Sequence, residues 1–355
     1  MTRSSARGPA PHGQVTLADV ARYVGVSAQS VSNALHNPGR LSGATRDKIL
    51  DGIRELGYRP NRSARALRSQ RSHLIAVKAE AVGPDRAAPI HDDFLHALAA
   101  SAAEVGSHLI LCQAGTPEEE VAAYRELLGT TALDAIVLAG SVSDDLRVKE
   151  LTELGVPFAT FGRSWDGDHD HPSVDVDGRT GLRSATELLI DQGHAGVAYF
   201  GWPAGSDVGR DRRQGWLDAC ASRSTPAGVE VVAPDSFTAA LEVAHDLLAG
   251  GGAPTAVVCA SDTLALAVLR AAHERRVLVG PDLAVTGFDD SPSAALTTPS
   301  LTSLRQPLAE VARQLIAAVQ AVLIDRDAPA SEVLVAPELI VRDSTSRSHH
   351  RKEPL

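Results

Sequence analysis

The chain has 355 residues, 44% of them hydrophobic and 22% charged, which suffices for a small module plus a larger body with its own core. Its three cysteines, Cys112, Cys220 and Cys259, lie far apart with no C-x-x-C pair, which argues against a disulfide framework and a zinc site. The net charge of −10 is unevenly spread: residues 1–72 hold 12 Lys and Arg against four acidic residues, and the remainder holds 22 against 40. A head of +8 thus precedes a body of −18, which places polyanion contact in the head and keeps the body off phosphates. Residues 1–13 lack the apolar stretch of a signal peptide and read as a disordered tail. No apolar run approaches the roughly 18 residues of a membrane span, so a cytoplasmic, nucleoid-associated protein without a membrane partner is expected.

Residues 14–59 read as three short helices. Thr16 can cap the first, with Asp19 as its third residue and Leu17, Val20, Ala21 and Val24 at helical spacing before Gly25. Ser27 caps a second helix through Leu35 after the tight corner Val24-Gly25-Val26, and Ser42 caps a third, Gly43 to about Leu56, that contributes Ile49 and Ile53 to a miniature core. Gly57-Tyr58-Arg59-Pro60 stops it.

This is a helix-turn-helix pattern, in which the second helix meets base edges with its first residues. Gln29 and Asn33 can each pair bidentately with adenine, and Ala28 can offer a methyl to thymine. Thr16, Ser27, Ser30, Ser32 and Thr45 carry short hydroxyls suited to phosphate oxygens, with capping as their other use. Leu17, His36, Arg40 and Ser42 complete the candidate DNA-facing set of the head.

Residues 60–71 form a basic hinge segment. Asn61–Arg68 falls short of the roughly 12–15 residues that an isolated helix needs, so it should order only against a support. Arg62, Arg65, Arg68 and Arg71 invite phosphates, while Ala64 and Leu67 make an apolar ridge. Asn61, Arg62, Ala64 and Leu67 are the candidate contacts here, Leu67 as a wedge between base steps; a plain interdomain linker is the alternative.

From residue 72 to 345 short apolar runs alternate with amphipathic helices, the pattern of parallel sheets flanked by helices. Strands are expected at 74–77, 109–112, 135–139, 158–161, 197–200, 229–233, 256–259 and 283–287. Helices are expected near 92–105, 117–128, 145–154, 179–192, 210–222, 238–249, 262–276 and 307–324. The loop Trp165–Pro172 separates two similar halves, so the expected fold class is α/β with two lobes and a cleft, followed by a tail at 346–355.

Polar residues gather beyond the strand ends, where such folds bind ligands. The candidate effector-binding residues are His91, Arg163, Trp165, Ser206, Arg212, Phe237, Ser261, Asp262 and Asp289. Arg212, Asp262 and Asp289 match vicinal hydroxyls, and Trp165 and Phe237 can face a sugar ring. Asp262 also suits a helix cap, Trp216 suits packing, and Asp92 and Glu80 are weaker candidates from the first lobe. Asp168-His169-Asp170-His171 lacks further paired ligands, so neither a metal nor a cofactor is expected.

The segments "VTLADVARYVGVSAQSVSNAL" and "LGYRPNRSARAL", followed in order by "VDVDGRTGLRSATELLIDQGH", "DRRQGW", "PTAVVCASDTLALAVL", "VTGFDDSP" and "PSLTSLRQP", resemble the lactose/galactose-repressor (LacI/GalR) family over about residues 14–345. The resemblance implies a periplasmic-binding-protein-like body, a homodimer on a near-palindromic double-stranded operator, Leu67 as the intercalating residue, and Arg212, Phe237, Ser261 and Asp289 at effector positions. Asn33 and His36 depart from it, standing where the family usually has Arg and Asn. The expected function is a transcriptional regulator, a repressor of carbohydrate-utilisation genes governed by a sugar-like effector. A corepressor-type regulator binding a nucleobase is the alternative, and a sugar-binding protein or hydrolase without a DNA role is the more distant rival. No G-x-S-x-G elbow, P-loop, complete dinucleotide fingerprint or H-E-x-x-H occurs, which speaks against an enzyme. No leucine heptads follow Val341, which favours a dimer over a tetramer.

Overall fold

In the computed structural model, described over residues 15–36, 38–58, 71–79, 85, 90–165, 167, 170–250, 252–326 and 329–347, the chain divides into two units between Ser72 and His73. The expectations for Asn61, Arg62, Ala64, Leu67, Glu80, Asp168 and His169 lie outside those residues.

The head unit is built from α1 (Leu17–Val24), α2 (Ala28–His36) and α3 (Gly43–Glu55), with a 3-10 turn at Pro38–Arg40. Thr16 and Asp19 cap α1 reciprocally: the Asp19 N–H donates to Thr16 Oγ1 at 3.3 Å and the Thr16 N–H to Asp19 Oδ2 at 3.0 Å. Gly25 ends α1 at φ 75°, a left-handed position that glycine occupies without steric cost, and its N–H returns to the Ala21 carbonyl. Val20, Ala21, Val24, Val31, Ala34 and Ile49 are buried together. The helices approach closely at Gly52, where a Cβ would overlap Val24 Cγ2.

The body unit carries two six-stranded sheets. The first lobe's sheet has the order β11-β5-β4-β3-β1-β2, all parallel. Its strands are β1 (Leu74–Ala79), β2 (His108–Gln113), β3 (Ala135–Ala139), β4 (Phe158–Phe161), β5 (Ser173–Val176) and β11 (Glu332–Val335). The second lobe's sheet, β12-β10-β9-β8-β6-β7, is parallel except for antiparallel β12 (Glu338–Ile340) on β10 (Thr302–Arg305). Its other members are β6 (Ala198–Gly201), β7 (Glu230–Val232), β8 (Ala256–Cys259) and β9 (Ala284–Asp289).

The helices are α4 (Ile90–Glu104), α5 (Pro117–Thr130), α6 (Leu146–Glu153), α7 (Gly178–Asp191), α8 (Asp207–Ser222), α9 (Phe237–Leu247), α10 (Asp262–Glu274), α11 (Pro292–Leu296) and α12 (Leu308–Ile324). Among the described residues the chain crosses from the sheet of one lobe to the other from β5 into α7, from β10 into α12, which packs on α4, β4 and β5, and from β11 into β12. Strands β3, β6 and β8 are buried along their whole length, as parallel strands covered on both faces must be. Within the first lobe Glu120 is fully buried but not uncompensated: Arg147 meets it at 2.9 Å, Lys78 at 3.4 Å, and the Tyr124 hydroxyl donates to it at 2.9 Å.

Candidate functional site

On the head, α2 presents Ala28 and Gln29 to solvent while Val31 and Ala34 face the core. Gln29 Nε2 donates to Asn33 Oδ1 at 3.2 Å, so two amides one turn apart form a single edge with donors and acceptors to spare. Several expected phosphate ligands are spent on local structure. The Ser27 Oγ accepts the Ser30 N–H at 3.0 Å and lies 2.9 Å from the Ser30 hydroxyl; the Ser42 Oγ accepts the Thr45 N–H at 3.3 Å and lies 2.8 Å from the Thr45 hydroxyl. These hydroxyls are exposed or at the surface, so capping leaves lone pairs and protons in reach of a backbone. Ser32 is half-buried, Leu17 packs against the head core, Arg40 is exposed in the 3-10 turn, and His36 closes α2.

In the body, the strand ends of the second lobe converge on Arg212. This α8 side chain is 6% exposed and its guanidinium lies 3.6 Å from the Phe288 ring centroid and 5.0 Å from that of Trp202. Its Nη1 donates to the Ala260 carbonyl, while its buried Nε has no hydrogen-bond partner. Burial holds the Arg212 pKa below the ordinary arginine value, with the nearby Asp289 opposing that shift.

Asp289 ends β9 at φ 120°, a costly conformation for a residue with a Cβ, and accepts from Gln306 Nε2 at 2.7 Å. Burial pushes its carboxyl up to about 8, against the pull of Arg212. Beside them, Asp235 Oδ1 accepts from the Ser261 hydroxyl at 2.6 Å and from Trp202 Nε1 at 3.3 Å. Phe237, half-buried, opens α9; its N–H donates to the Asp85 carbonyl at 3.1 Å, and the Asp85 carboxylate takes the Ser236 and Thr238 hydroxyls and the Thr238 N–H.

The other candidates have structural partners. Asp262 is fully buried, its oxygens receiving the Ser291 N–H at 2.7 Å and the Ser303 hydroxyl at 2.6 Å, and burial raises its pKa to about 6. Ser206 and Ser261 cap α8 and α10. Trp165 donates from Nε1 to the Ser141 carbonyl at 3.2 Å and underlies the Arg163 guanidinium at 4.7 Å. Arg163 itself bonds Asp175 at 3.0 Å and Asp211 at 3.3 Å. His91 is half-buried in the first turn of α4. Trp216 is a core residue, bonded to the Val197 carbonyl at 2.9 Å and stacked on Tyr199.

Sequence reasoning missed Trp202, Asp235, Phe288 and Gln306. Each sits just past or at a strand end, and that placement was the available signal. Among the described residues no group of three His, Cys, Asp or Glu side chains is arranged to hold a metal, and His171 packs against Phe158 at 5.2 Å between ring centroids.

A helix-turn-helix head with amides on the outer face of its second helix, joined to a two-lobed α/β body, defines a DNA-binding transcriptional regulator with a ligand-binding body. Residues 16–61 match the family described as bacterial regulatory proteins, lacI family, and residues 186–345 match the periplasmic binding protein-like domain. The chain is 34% identical over 349 residues to the HTH-type transcriptional regulator AglR of Rhizobium meliloti (strain 1021), covering 95% of this chain and 96% of that one. It is 30% identical to the regulator CelR of Thermobifida fusca, covering 93% and 98%. Its fold matches the lac repressor dimer bound to operator and the anti-inducer ONPF with a TM-score of 0.81, at 25% identity over 94% of this chain and 100% of that one. It matches a CelR–cellobiose complex with a TM-score of 0.70, at 26% identity over 93% and 99%. The chain belongs to the lacI family of bacterial regulatory proteins.

Proposed function

We propose that this regulator is a repressor whose operator affinity is governed by a neutral sugar bound between its lobes, and that it is not an enzyme. The observation that carries this reading is the Arg212 group: a guanidinium packed against two rings, with a buried N–H left over, beside the carboxyl groups of Asp289 and Asp235. Fixed donors and acceptors next to aromatic faces suit vicinal hydroxyls. Arg212, Phe237, Ser261 and Asp289 are the principal effector residues; Trp202 and Asp235 join them.

Two chains pair through their bodies and set two heads on a near-palindromic operator. Apolar surface supports this: Leu296 at the end of α11 is 82% exposed, and Leu111 on the edge strand β2 is 56% exposed. Ala28, Gln29 and Asn33 read base edges, and Leu67 wedges the central step. The likeness to a regulator solved with cellobiose favours a carbohydrate for this chain as well.

A thermal-shift screen of the full chain tests the effector. Cellobiose, maltose, monosaccharides and nucleobases are each added in excess; a ligand at about 100 times its Kd stabilises by about 2.7 kcal/mol, enough to raise the Tm by several degrees. A sugar is expected to give that rise. A rise with hypoxanthine, guanine or adenine and with no sugar would assign the cleft to nucleobases instead.

A further inference from the structure

Arg163 follows β4 in the first lobe, and its guanidinium is divided between the lobes. Nε donates to Asp175 on β5 of the same lobe, and Nη2 donates to Asp211 on α8 of the other. None of the three side chains is more than 16% exposed, so water screens this bridge far less than a surface pair. On the first-lobe side the bridge is braced. The Ser141 hydroxyl donates to the Arg163 carbonyl at 3.1 Å, and Gly162, at φ 117°, lets the two strand-end turns touch where a Cβ would strike Ser141.

On the second-lobe side Asp211 also accepts the Arg179 N–H at 3.0 Å, in the first turn after the chain crosses from β5. One helical turn earlier on the same face of α8, Asp207 makes a second link across the lobes, accepting the Ser143 N–H at 2.7 Å. The residue after Asp211 is Arg212, whose side chain lies against the crossover: a Cβ on Gly178 would stand 3.1 Å from Arg212 Cγ.

We infer that Arg163, Asp211 and Asp207 form a clasp that sets the angle between the lobes, and that α8 ties this clasp to the cleft because Arg212 and Asp211 are consecutive on it. Rotation of the lobes about their crossovers carries the Asp207 and Asp211 face of α8 away from Arg163 and Ser143, so both links break together. Anything that shifts Arg212 is felt at the clasp within one residue. The regulatory meaning of the clasp rests on the effector reading above; its existence does not.

Hydrogen exchange of the full chain tests it without any ligand. Asp211→Asn keeps the size of the side chain and leaves the Arg163–Asp175 pair, yet removes the charge that links the lobes. The Ser143 amide, which touches neither Arg163 nor Asp211 side chains, is the reporter. It is expected to exchange at least about tenfold faster in Asp211→Asn and in Arg163→Gln, less so in Arg163→Lys, with amides of β3 and β8 unchanged. An unchanged Ser143 amide in Asp211→Asn and Arg163→Gln would overturn the clasp. Uniform acceleration through both sheets would overturn it too, since the bridge would then support the lobes themselves. Neither result touches sugar binding, which the thermal-shift screen decides.

Discussion

Asp289 joins three costs at one residue: a positive φ, partial burial and a carboxyl raised to about 8. An unfolded carboxylate titrates near about 3.9, so between roughly pH 4 and 8 the folded chain holds a proton that the unfolded chain lacks, and stability falls as pH rises through that window. Asp289→Asn removes this slope. The stability of the variant relative to the wild type, from urea unfolding, should rise by about 1 kcal/mol or more between pH 5 and pH 8; an equal difference at both pH values would count against the assignment. Arg212 and Asp289 stood out in the sequence as polar residues placed near strand ends, and the structure brings them together. Trp202, Asp235 and Phe288 did not stand out, because their roles come from what they touch across separate strand ends. Asp262 shows the converse: its chemistry suits a ligand, but two packed partners already occupy its oxygens.

Among the elements, the head helices follow from local rules, with Thr16, Ser27 and Ser42 capping and Gly25 terminating as their spacing predicts. The strands β1, β2, β3, β4, β6, β7, β8 and β9, with their apolar runs, are equally legible. The unforeseen ones are β5, β10, β11 and β12, each of three or four residues. Sequences such as Ser173-Val174-Asp175-Val176 and Thr302-Ser303-Leu304-Arg305 carry too little apolar signal to stand out, and each lies second from the edge of its sheet, next to where the chain crosses between lobes. Gly52 in α3 is an element-scale constraint that composition conceals. Gly52→Ala forces a methyl onto the stiff, buried Val24 and should destabilise the head by about 1–3 kcal/mol, despite the gain in helix propensity. Faster exchange at the Ile49 and Val31 amides checks this; unchanged protection there would show that the helices can separate without cost.

At the scale of the whole molecule, charge and fold divide the labour. A basic head suits a polyanion, and an acidic body does not compete for it. The two-lobed division was legible from the alternation of strands and helices, whereas the three crossovers were not, since each of them leaves from one of the short strands just named. The proposed pairing of two bodies is tested by Leu296→Glu: in sedimentation at micromolar concentration the wild type should run as a dimer and the variant as a monomer, while a dimeric variant would move the interface elsewhere.

Whether the head carries an address that the cleft makes conditional is decided by selection of duplexes from a randomised pool by the full chain, followed by retention of the selected duplex with and without the stabilising sugar. A near-palindromic sequence is expected to be enriched, and its affinity to change by about tenfold or more when the sugar is added. Failure to enrich any sequence, or an enriched duplex held equally well with and without the sugar, would contradict the conditional address.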